Sequence, residues 1–367
     1  MHVYDLIIVG SGPAGLATAI AASKRKLSYL VLEKGALVNT ILHFPKHMVF
    51  FTTPELLEIG GLPFVTPYEK PTRYEALRYY RRAADTYNLN VAFGETVLSA
   101  QRGTGPASAD PASDDPTGAP LVVKTLWRPD GAPESAGEPR EYRTRTLVLA
   151  TGAYDLPNLC GMPGEDLPHV LHYYTEPHPF YRKRVVIIGG QNSAAEAALD
   201  LYRSGSHVTI VHRKPEFGTS LKYWVKPDIE NRVKEGTVAA KLGARVVRIT
   251  PTSVLIEPVP DAGPVPYGTK PTGPEELPAD AVFLLTGYHS DVTLLHACGV
   301  TTSEKTLEPT FDQETFETNV PGIYVAGQVI TGQQSGKIFI ENGRFHGERV
   351  ADVIATRLAA SNAGALV

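Results

Sequence analysis

Apolar positions along the chain fall into two blocks of the same design. Val3–Val9 ends in the unbroken run LIIV, the pattern of a strand buried on both faces. Small helix formers follow over Pro13–Lys24, and residues 28–32 (SYLVL) predict a second strand that closes in Glu33. Strand, helix and strand at this spacing make one βαβ unit. The design returns far downstream. Arg184–Ile188 (RVVII) predicts a strand, residues 193–203 a helix with Gly205 placed to cap it, and residues 207–211 (HVTIV) the next strand.

Two stretches rich in Gly, Pro, Ala, Ser and Asp, 101–119 and 258–278, interrupt this pattern. Strand-like runs flank each: 91–100 and 120–127 around the first, 252–257 and 280–285 around the second. Both stretches are expected to be exposed, long hairpin connections rather than domain linkers. Tyr79, Tyr80, Arg81 and Arg82 predict a helix with a solvated basic face. At the end of the chain, 322–325 predicts a strand, Ala326 and Gly327 a turn, and 341–359 a long amphipathic helix.

Each block joins its first strand to its helix through a glycine-rich turn. Residues 10–15 (GSGPAG) match G-x-G-x-x-G in full. Glycine permits the tight turn and a close approach of backbone to ligand. The free N–H groups and the dipole at the helix start attract an anion. Glu33 stands about 20 residues on, at a strand end, where a carboxylate can hold ribose hydroxyls. Residues 189–194 (GGQNSA) depart from the pattern. Gly189 and Ala194 fit, but Gln191 stands where the second glycine belongs. The strand that follows ends in His212, Arg213 and Lys214 instead of an acid, and cations there suit the 2′-phosphate of NADP. Two such units predict two dinucleotides. The segments LVLATGAY (147–154) and GIYVAGQ (322–328) add small residues where the chain would pass close to a cofactor. A flavin with a nicotinamide is the natural pair, one storing two electrons and the other delivering hydride.

Composition narrows the class. The 367 residues suffice for two domains, and a net charge of −4 offers no basic surplus for nucleic acid or an anionic membrane. No apolar run approaches the ~18 residues of a membrane span, and no secretory signal is expected ahead of the strand-like Leu6–Val9 run. Cys160 and Cys298 are the only cysteines. They make neither a disulfide scaffold nor a Cys-x-x-Cys motif, and they fit a reducing cytoplasm.

These features together resemble the two-dinucleotide-domain flavoproteins of the thioredoxin reductase-like group, and within it the bacillithiol disulfide reductase family. The resemblance spans nearly the whole chain. It runs through GSGPAG, FPKHMVFFTTPELLEIGGLPF (44–64), ATGAY, HYYTEPHPF (172–180), VVIIGGQNSAAEAALDL, TGYH (286–289), TFETN (315–319) and IFIENGRFHG (338–347). The last is the most specific, because no phosphate-binding rule demands it. The resemblance implies an α/β fold of two Rossmann-like, three-layer dinucleotide-binding domains. It also implies an FAD-containing, NADPH-dependent reductase of the symmetric disulfide of a small thiol. The expected partners are a small-molecule disulfide or a small redox protein as acceptor, and further copies of the chain in a dimer or tetramer. By position, Gly10, Gly12, Pro13, Ala14, Gly15, Glu33, Lys34, Val97, Thr151, Gly152, Gly327, Gln328, Lys337 and Ile338 are expected at FAD. Gly189, Gly190, Gln191, Asn192, Ser193, Ala194, His212, Arg213, Lys214 and Gly287 are expected at NADPH. The start of the last helix is expected to aim its positive dipole end at the flavin pyrimidine. The FAD domain is expected at about 1–157 plus 291–367, with the NADPH domain, 158–290, inserted between.

The chain departs from its relatives in three places. Ala14 replaces the cysteine of the family's GPCG, so no thiol can act from this loop. HYYTEPHPF stands where thioredoxin reductases carry their dithiol, which excludes that activity. Gln328 replaces the aspartate usual after AG. Cys160 and His172 remain as candidates for chemistry, with Cys298, Glu176 and His178 behind them. None of these forms a metal signature, and no metal is expected. Glu341 and His346, on the last helix, are candidates for contact with flavin or a neighbouring subunit. One rival is a thioredoxin reductase-like ferredoxin–NADP reductase, which suits Ala14, although a net charge of −4 does not supply a basic docking surface. A flavin monooxygenase would need its full F-x-G-x-x-x-H signature, which is not found here. A redox sensor that binds both nucleotides without turnover is the most distant rival.

Overall fold

The computed structural model describes residues 2–103, 119–129, 136–334 and 336–364. Most of the loop expected at 101–119 lies outside the described residues. The chain divides into two compact units, Met1–Leu156 with Tyr288–Val367, and Pro157–Gly287.

The first unit opens with β1 (Val3–Val9), α1 (Pro13–Lys24) and β2 (Tyr29–Glu33). β1 and β2 run parallel, with Leu6 opposite Tyr29 and Val9 opposite Leu32. α2 (Asn39–His43) and α3 (Arg73–Thr86) follow, the latter started by a Thr72–Glu75 capping box. β3 (Val91–Phe93) extends the sheet in parallel beside β2. β4 (Glu95–Arg102), β5 (Leu121–Trp127) and β6 (Glu138–Leu149) then form an antiparallel meander. The second half of β6 turns parallel beside β1, and β17 (Ile323–Val325) pairs with its other edge.

The run 91–100, expected as one strand, is broken at Gly94. That residue has φ +74°, and a Cβ there would lie 2.1 Å from the Arg128 carbonyl oxygen. The chain then changes partner, and Glu95 begins β4 with its carboxylate buried. It accepts from Thr125 Oγ1 at 2.6 Å, Arg140 Nη1 at 3.0 Å and Tyr142 Oη at 2.6 Å, so the buried charge is matched.

α3 exposes Arg81 and Arg82 as expected. Its tyrosines do more than pack. Tyr79 Oη accepts from Ile59 N and donates to Leu62 O, both at 2.8 Å, and Tyr80 Oη donates to Leu57 O at 2.9 Å. They hold the 57–62 segment in place.

In the second unit, β8 (Val170–Leu171), β9 (Arg184–Ile188), β10 (His207–His212), β11 (Ala239–Leu242) and β15 (Ala281–Leu284) form a parallel sheet in the order β11-β10-β9-β15-β8. α4 (Asn192–Arg203) crosses from β9 to β10 and α5 (Lys226–Lys234) from β10 to β11. Gly205, φ +85°, closes α4 as expected, with Ser206 N donating to Leu201 O. A second sheet holds β12 (Ala244–Ile249), β13 (Ser253–Pro258) and β14 (Glu275–Pro278). β7 (Leu156–Pro157) and β16 (Tyr288–His289) lie where the chain leaves and re-enters the first unit.

The hairpin expected from 252–257 to 280–285 needs correction. β13 pairs antiparallel with β14, whereas β15 runs parallel beside β9, with Val282 opposite Val186. The difference lies in pattern. β15 is buried at all four positions, as a strand covered on both faces must be, while β14 exposes Glu276 and Pro278.

Returning to the first unit, α6 (Val292–Ala297) ends at the buried Cys298. α7 (Ile340–Gly364) is longer at both ends than 341–359. It approaches α1 so closely that a Cβ at Gly347 would lie 2.5 Å from Thr18 N, and Arg25 Nε donates to Asp352 across the two helices at 2.7 Å.

Two glycines of the first turn make a contrasting pair. A Cβ at Gly15 would fall 1.9 Å from Gly10 O, while nothing lies within 4 Å of one at Gly12. Gly15→Ala is expected to lower unfolding free energy by about 1–3 kcal/mol. Gly12→Ala is expected to lower it by no more than about 0.5 kcal/mol. Urea midpoints of the two variants measure the difference.

Candidate functional site

The first turn is built around Gly10, whose φ of +101° and missing side chain let it sit against the end of β6. A Cβ there would come 2.6 Å from Ala150 O. Gly15 lets α1 start directly beneath the turn. α1 has no side-chain cap, Pro13 in its first turn and no acid there, so its leading N–H groups face no competing acceptor from a cap. Glu33 is 5% exposed. Its Oε2 accepts from Ser11 N at 2.7 Å and Ser11 Oγ at 2.8 Å, and its Oε1 from Gly35 N at 2.8 Å. The strand-end acid thus braces the turn.

Most of the expected neighbours gather at this turn. Thr151 Cα would be 3.4 Å from a Gly10 Cβ, and Gly152 has φ +75° with open space around it. Gly327, φ +77°, approaches Ala14 so closely that a Cβ there would lie 2.6 Å from the Ala14 Cβ. Gly327 N donates to His346 Nδ1 at 3.1 Å, and the imidazole stacks on Phe316 at 4.5 Å. Burial lowers the His346 pKa, which keeps Nδ1 open as an acceptor. Gln328 follows in a short 3₁₀ turn. Three other expected residues are engaged elsewhere. Lys34 pairs with Asp155 at 2.5 Å, exposed Lys337 pairs with Glu308 at 3.2 Å, and Val97 is buried in the apolar core beside Ile7 and Val9.

The second turn repeats the design. A Cβ at Gly189, φ +151°, would lie 2.6 Å from Leu285 O at the end of β15. Gly190 packs on the His212 ring, where a Cβ would come within 2.4 Å. α4 again lacks a side-chain cap and an acid in its first turn. Ser193 and Ala194 lie in that turn, Ala194 buried. His212 is held down to about 4 by burial first, then by Lys214 and Arg213, and its buried Nε2 has no partner among the described residues. Arg213 and Lys214 are exposed, and neither forms an ion pair among the described residues. Gly287, φ +94°, follows β15, and its carbonyl accepts from Asn158 N at 2.9 Å.

Two features, one in each unit, were not legible as site features. Glu196 on α4 is raised to about 7 by burial, with Lys222 acting against the shift. An acid inside the small-residue run NSAAEAAL was the available signal. The His346–Gly327 contact joins positions 19 apart and carried no pattern of its own.

Both cysteine thiols are raised above their ordinary value. Cys160 is exposed, but enclosure of its sulfur and the nearby Glu165 raise its thiol, against Thr286 and Arg213. Cys298 is pushed up to about 11 by burial. His172 is half-buried with Nδ1 unpartnered, and His178 begins an exposed 3₁₀ turn. Among the described residues no cluster of His, Cys, Asp and Glu is fit to hold a metal ion, and no helix is long and apolar enough to cross a membrane.

The model of the pyridine nucleotide-disulphide oxidoreductase family matches residues 7–106 and 134–327. Bacilliredoxin reductase Bdr of Bacillus subtilis (strain 168) is 39% identical, over 96% of this chain and 97% of that one. The solved bacillithiol disulfide reductase Bdr from Bacillus cereus superposes with a TM-score of 0.85 at 37% identity, over 97% of this chain and all of that one. Thioredoxin reductase of T. acidophilum shares the fold, with a TM-score of 0.71 at 20% identity over 97% of this chain and 99% of that one. The chain belongs to the pyridine nucleotide-disulphide oxidoreductase family, flavoprotein reductases that use a pyridine nucleotide, and it has their thioredoxin reductase-like fold.

Proposed function

We propose that this chain contains FAD, oxidises NADPH and reduces a low-molecular-weight disulfide of the bacillithiol type: NADPH + H⁺ + RSSR → NADP⁺ + 2 RSH. The observation that carries this is a pair of turns built alike but ending in opposite chemistry. The first has a buried acid, Glu33, at its strand end, and the second has two exposed cations, Arg213 and Lys214. The substrate class rests on the names of the Bacillus subtilis and Bacillus cereus relatives.

The residues present fit the two nucleotides. The open space at Gly12 and the uncapped start of α1 form a cradle for the FAD pyrophosphate. Glu33 has lone pairs beyond those used by Ser11 and Gly35, and these take ribose hydroxyls. A bound flavin supplies a two-electron carrier between hydride donor and disulfide. In the second unit the α4 start binds the NADPH pyrophosphate, and Arg213 and Lys214 bind the 2′-phosphate. Neutral His212 packs under Gly190 without adding charge of its own. The assignment places FAD on about 1–157 with 291–367 and NADPH on 158–290, in a homo-oligomer of a reducing cytoplasm.

Ala14 faces Gly327 with a methyl group where the family's cysteine would bring a thiol. Burial raises both the Cys160 and the Cys298 thiol above the ordinary value, which supports a route in which electrons pass from flavin to disulfide without a thiol of this chain. The Cys160→Ser/Cys298→Ser variant is expected to keep its flavin and more than half of its NADPH-dependent disulfide turnover. A variant that folds and reduces its flavin, yet cannot pass electrons on, would overturn this route. Ala14→Cys is the companion, and a large gain in turnover would show that the thiol had been limiting.

An anaerobic acceptor panel under NADPH tests the reaction itself. Bacillithiol-type disulfide is expected to be reduced faster than glutathione disulfide, ferredoxin or oxygen. Preferential reduction of ferredoxin would favour the ferredoxin–NADP reductase reading.

Nucleotide identity has its own checks. Flavin released by denaturation is expected to be FAD, and FMN would contradict the role of Glu33. Arg213→Ala/Lys214→Ala removes charge-assisted contacts of about 1.5–3 kcal/mol each. It is expected to raise the KM for NADPH more than tenfold and that for NADH far less. Equal effects on both would refute the 2′-phosphate assignment.

A further inference from the structure

Gln191 breaks the glycine pattern of the second turn, and the structure gives it a partner. Backbone conformation demands glycine at the middle position of neither turn. Gly12 has φ −68° and ψ 174°, Gln191 φ −112° and ψ −174°, extended values open to any residue. At Gly12 the space beside the backbone is empty. At 191 a carboxamide must be housed, and it lies against the segment 216–224. A Cβ at Gly218 would come within 2.5 Å of that carboxamide, so the missing side chain at 218 makes its seat. The Ser220 hydroxyl donates to Gln191 Oε1.

Three more hydrogen bonds join the same two pieces of chain. Gly218 N donates to Gly190 O at 3.0 Å, Asn192 Nδ2 to Ser220 O at 3.2 Å, and Lys222 N to Asn192 Oδ1 at 2.9 Å. Phe217, 1% exposed, anchors the segment from below, and its N–H donates to Tyr267 Oη at 3.1 Å. Arg213 and Lys214 therefore lie on a short span tethered at both ends. β10 holds one end, and the 217–222 strap, fixed to the start of α4, holds the other.

We propose that Gln191 is a positioning residue for nucleotide choice. By holding the strap against the start of α4, it keeps Arg213 and Lys214 at a set distance from the phosphate turn. A nucleotide carrying both a pyrophosphate and a 2′-phosphate then meets two anion sites already in register. The conformational entropy of two long cationic side chains is paid down before binding. The proposal rests on the reading that this turn takes NADPH.

The test compares ligands that differ in the 2′-phosphate. Adenosine 2′,5′-bisphosphate and 5′-AMP are titrated calorimetrically into the intact flavoprotein, and kcat/KM is measured for NADPH and NADH. Gln191→Gly restores the residue that the pattern calls for, and Ser220→Ala removes one donor while leaving Gln191 in place. Both variants are expected to lower the bisphosphate-to-AMP affinity ratio and the NADPH-to-NADH ratio, the first by about tenfold and the second by about threefold, as for charge-assisted contacts that are weakened rather than lost. If the parent protein prefers NADPH and the variants keep its ratios, the strap has no part in selection and the proposal falls alone. The same holds if they weaken both ligands equally. If the parent shows no preference for the 2′-phosphate, the NADPH reading falls and takes the proposal with it. Should Gln191→Gly fail to fold, the Ser220→Ala ratios decide.

Discussion

At the glycine-rich turn of each unit, one steric constraint sets the arrangement. The first glycine of the turn lies against the carbonyl that ends the neighbouring parallel strand. A Cβ would fall 2.6 Å from Ala150 O in one unit and 2.6 Å from Leu285 O in the other. Any side chain there would push the turn off the sheet and carry the helix start with it. Both carbonyls are followed by Thr-Gly, with Gly152 at φ +75° and Gly287 at φ +94°. The repeat in this chain is therefore larger than its two phosphate turns. It includes the two strand ends, ATG and LTG, against which those turns are pressed.

The chemistry differs where the second strand of each unit ends. Glu33 turns inward and is bound by Ser11 and Gly35, so its charge is placed by the turn that it serves. On the other side His212 turns inward as a neutral ring, and Arg213 and Lys214 stay in solvent. A buried acid and an exposed cation pair thus stand at the same place in one backbone design. α7 then closes the first site. Gly347 lets it lie on Thr18, and His346 holds Gly327 N, which brings the Ala326–Gly327 turn down onto Ala14. Gly327 thus packs directly on the Ala14 methyl group.

What could be read from sequence was whatever depends on nearby residues. Both βαβ units, both turns and the capping glycine of α4 follow from periodicity and spacing within about 30 residues. The swap between β14 and β15 did not, because β15 is chosen by a partner, β9, nearly a hundred residues earlier. Tyr79 and Tyr80 read as ordinary helix positions, yet their hydroxyls bind carbonyls about 20 residues upstream. The use of Gln191 depends on Gly218 and Ser220, which carry no motif. Polar contacts across long separations leave no period in the sequence, and the site's finer fittings are of that kind.

In the proposed function the two turns serve different nucleotides at the same time. Titration of the purified, flavin-loaded protein with NADP⁺, followed by calorimetry and by the absorbance of released flavin, addresses this most directly. One NADP⁺ is expected to bind per chain with all flavin retained. Displacement of the flavin by NADP⁺, or no saturable binding while flavin is in place, would contradict it.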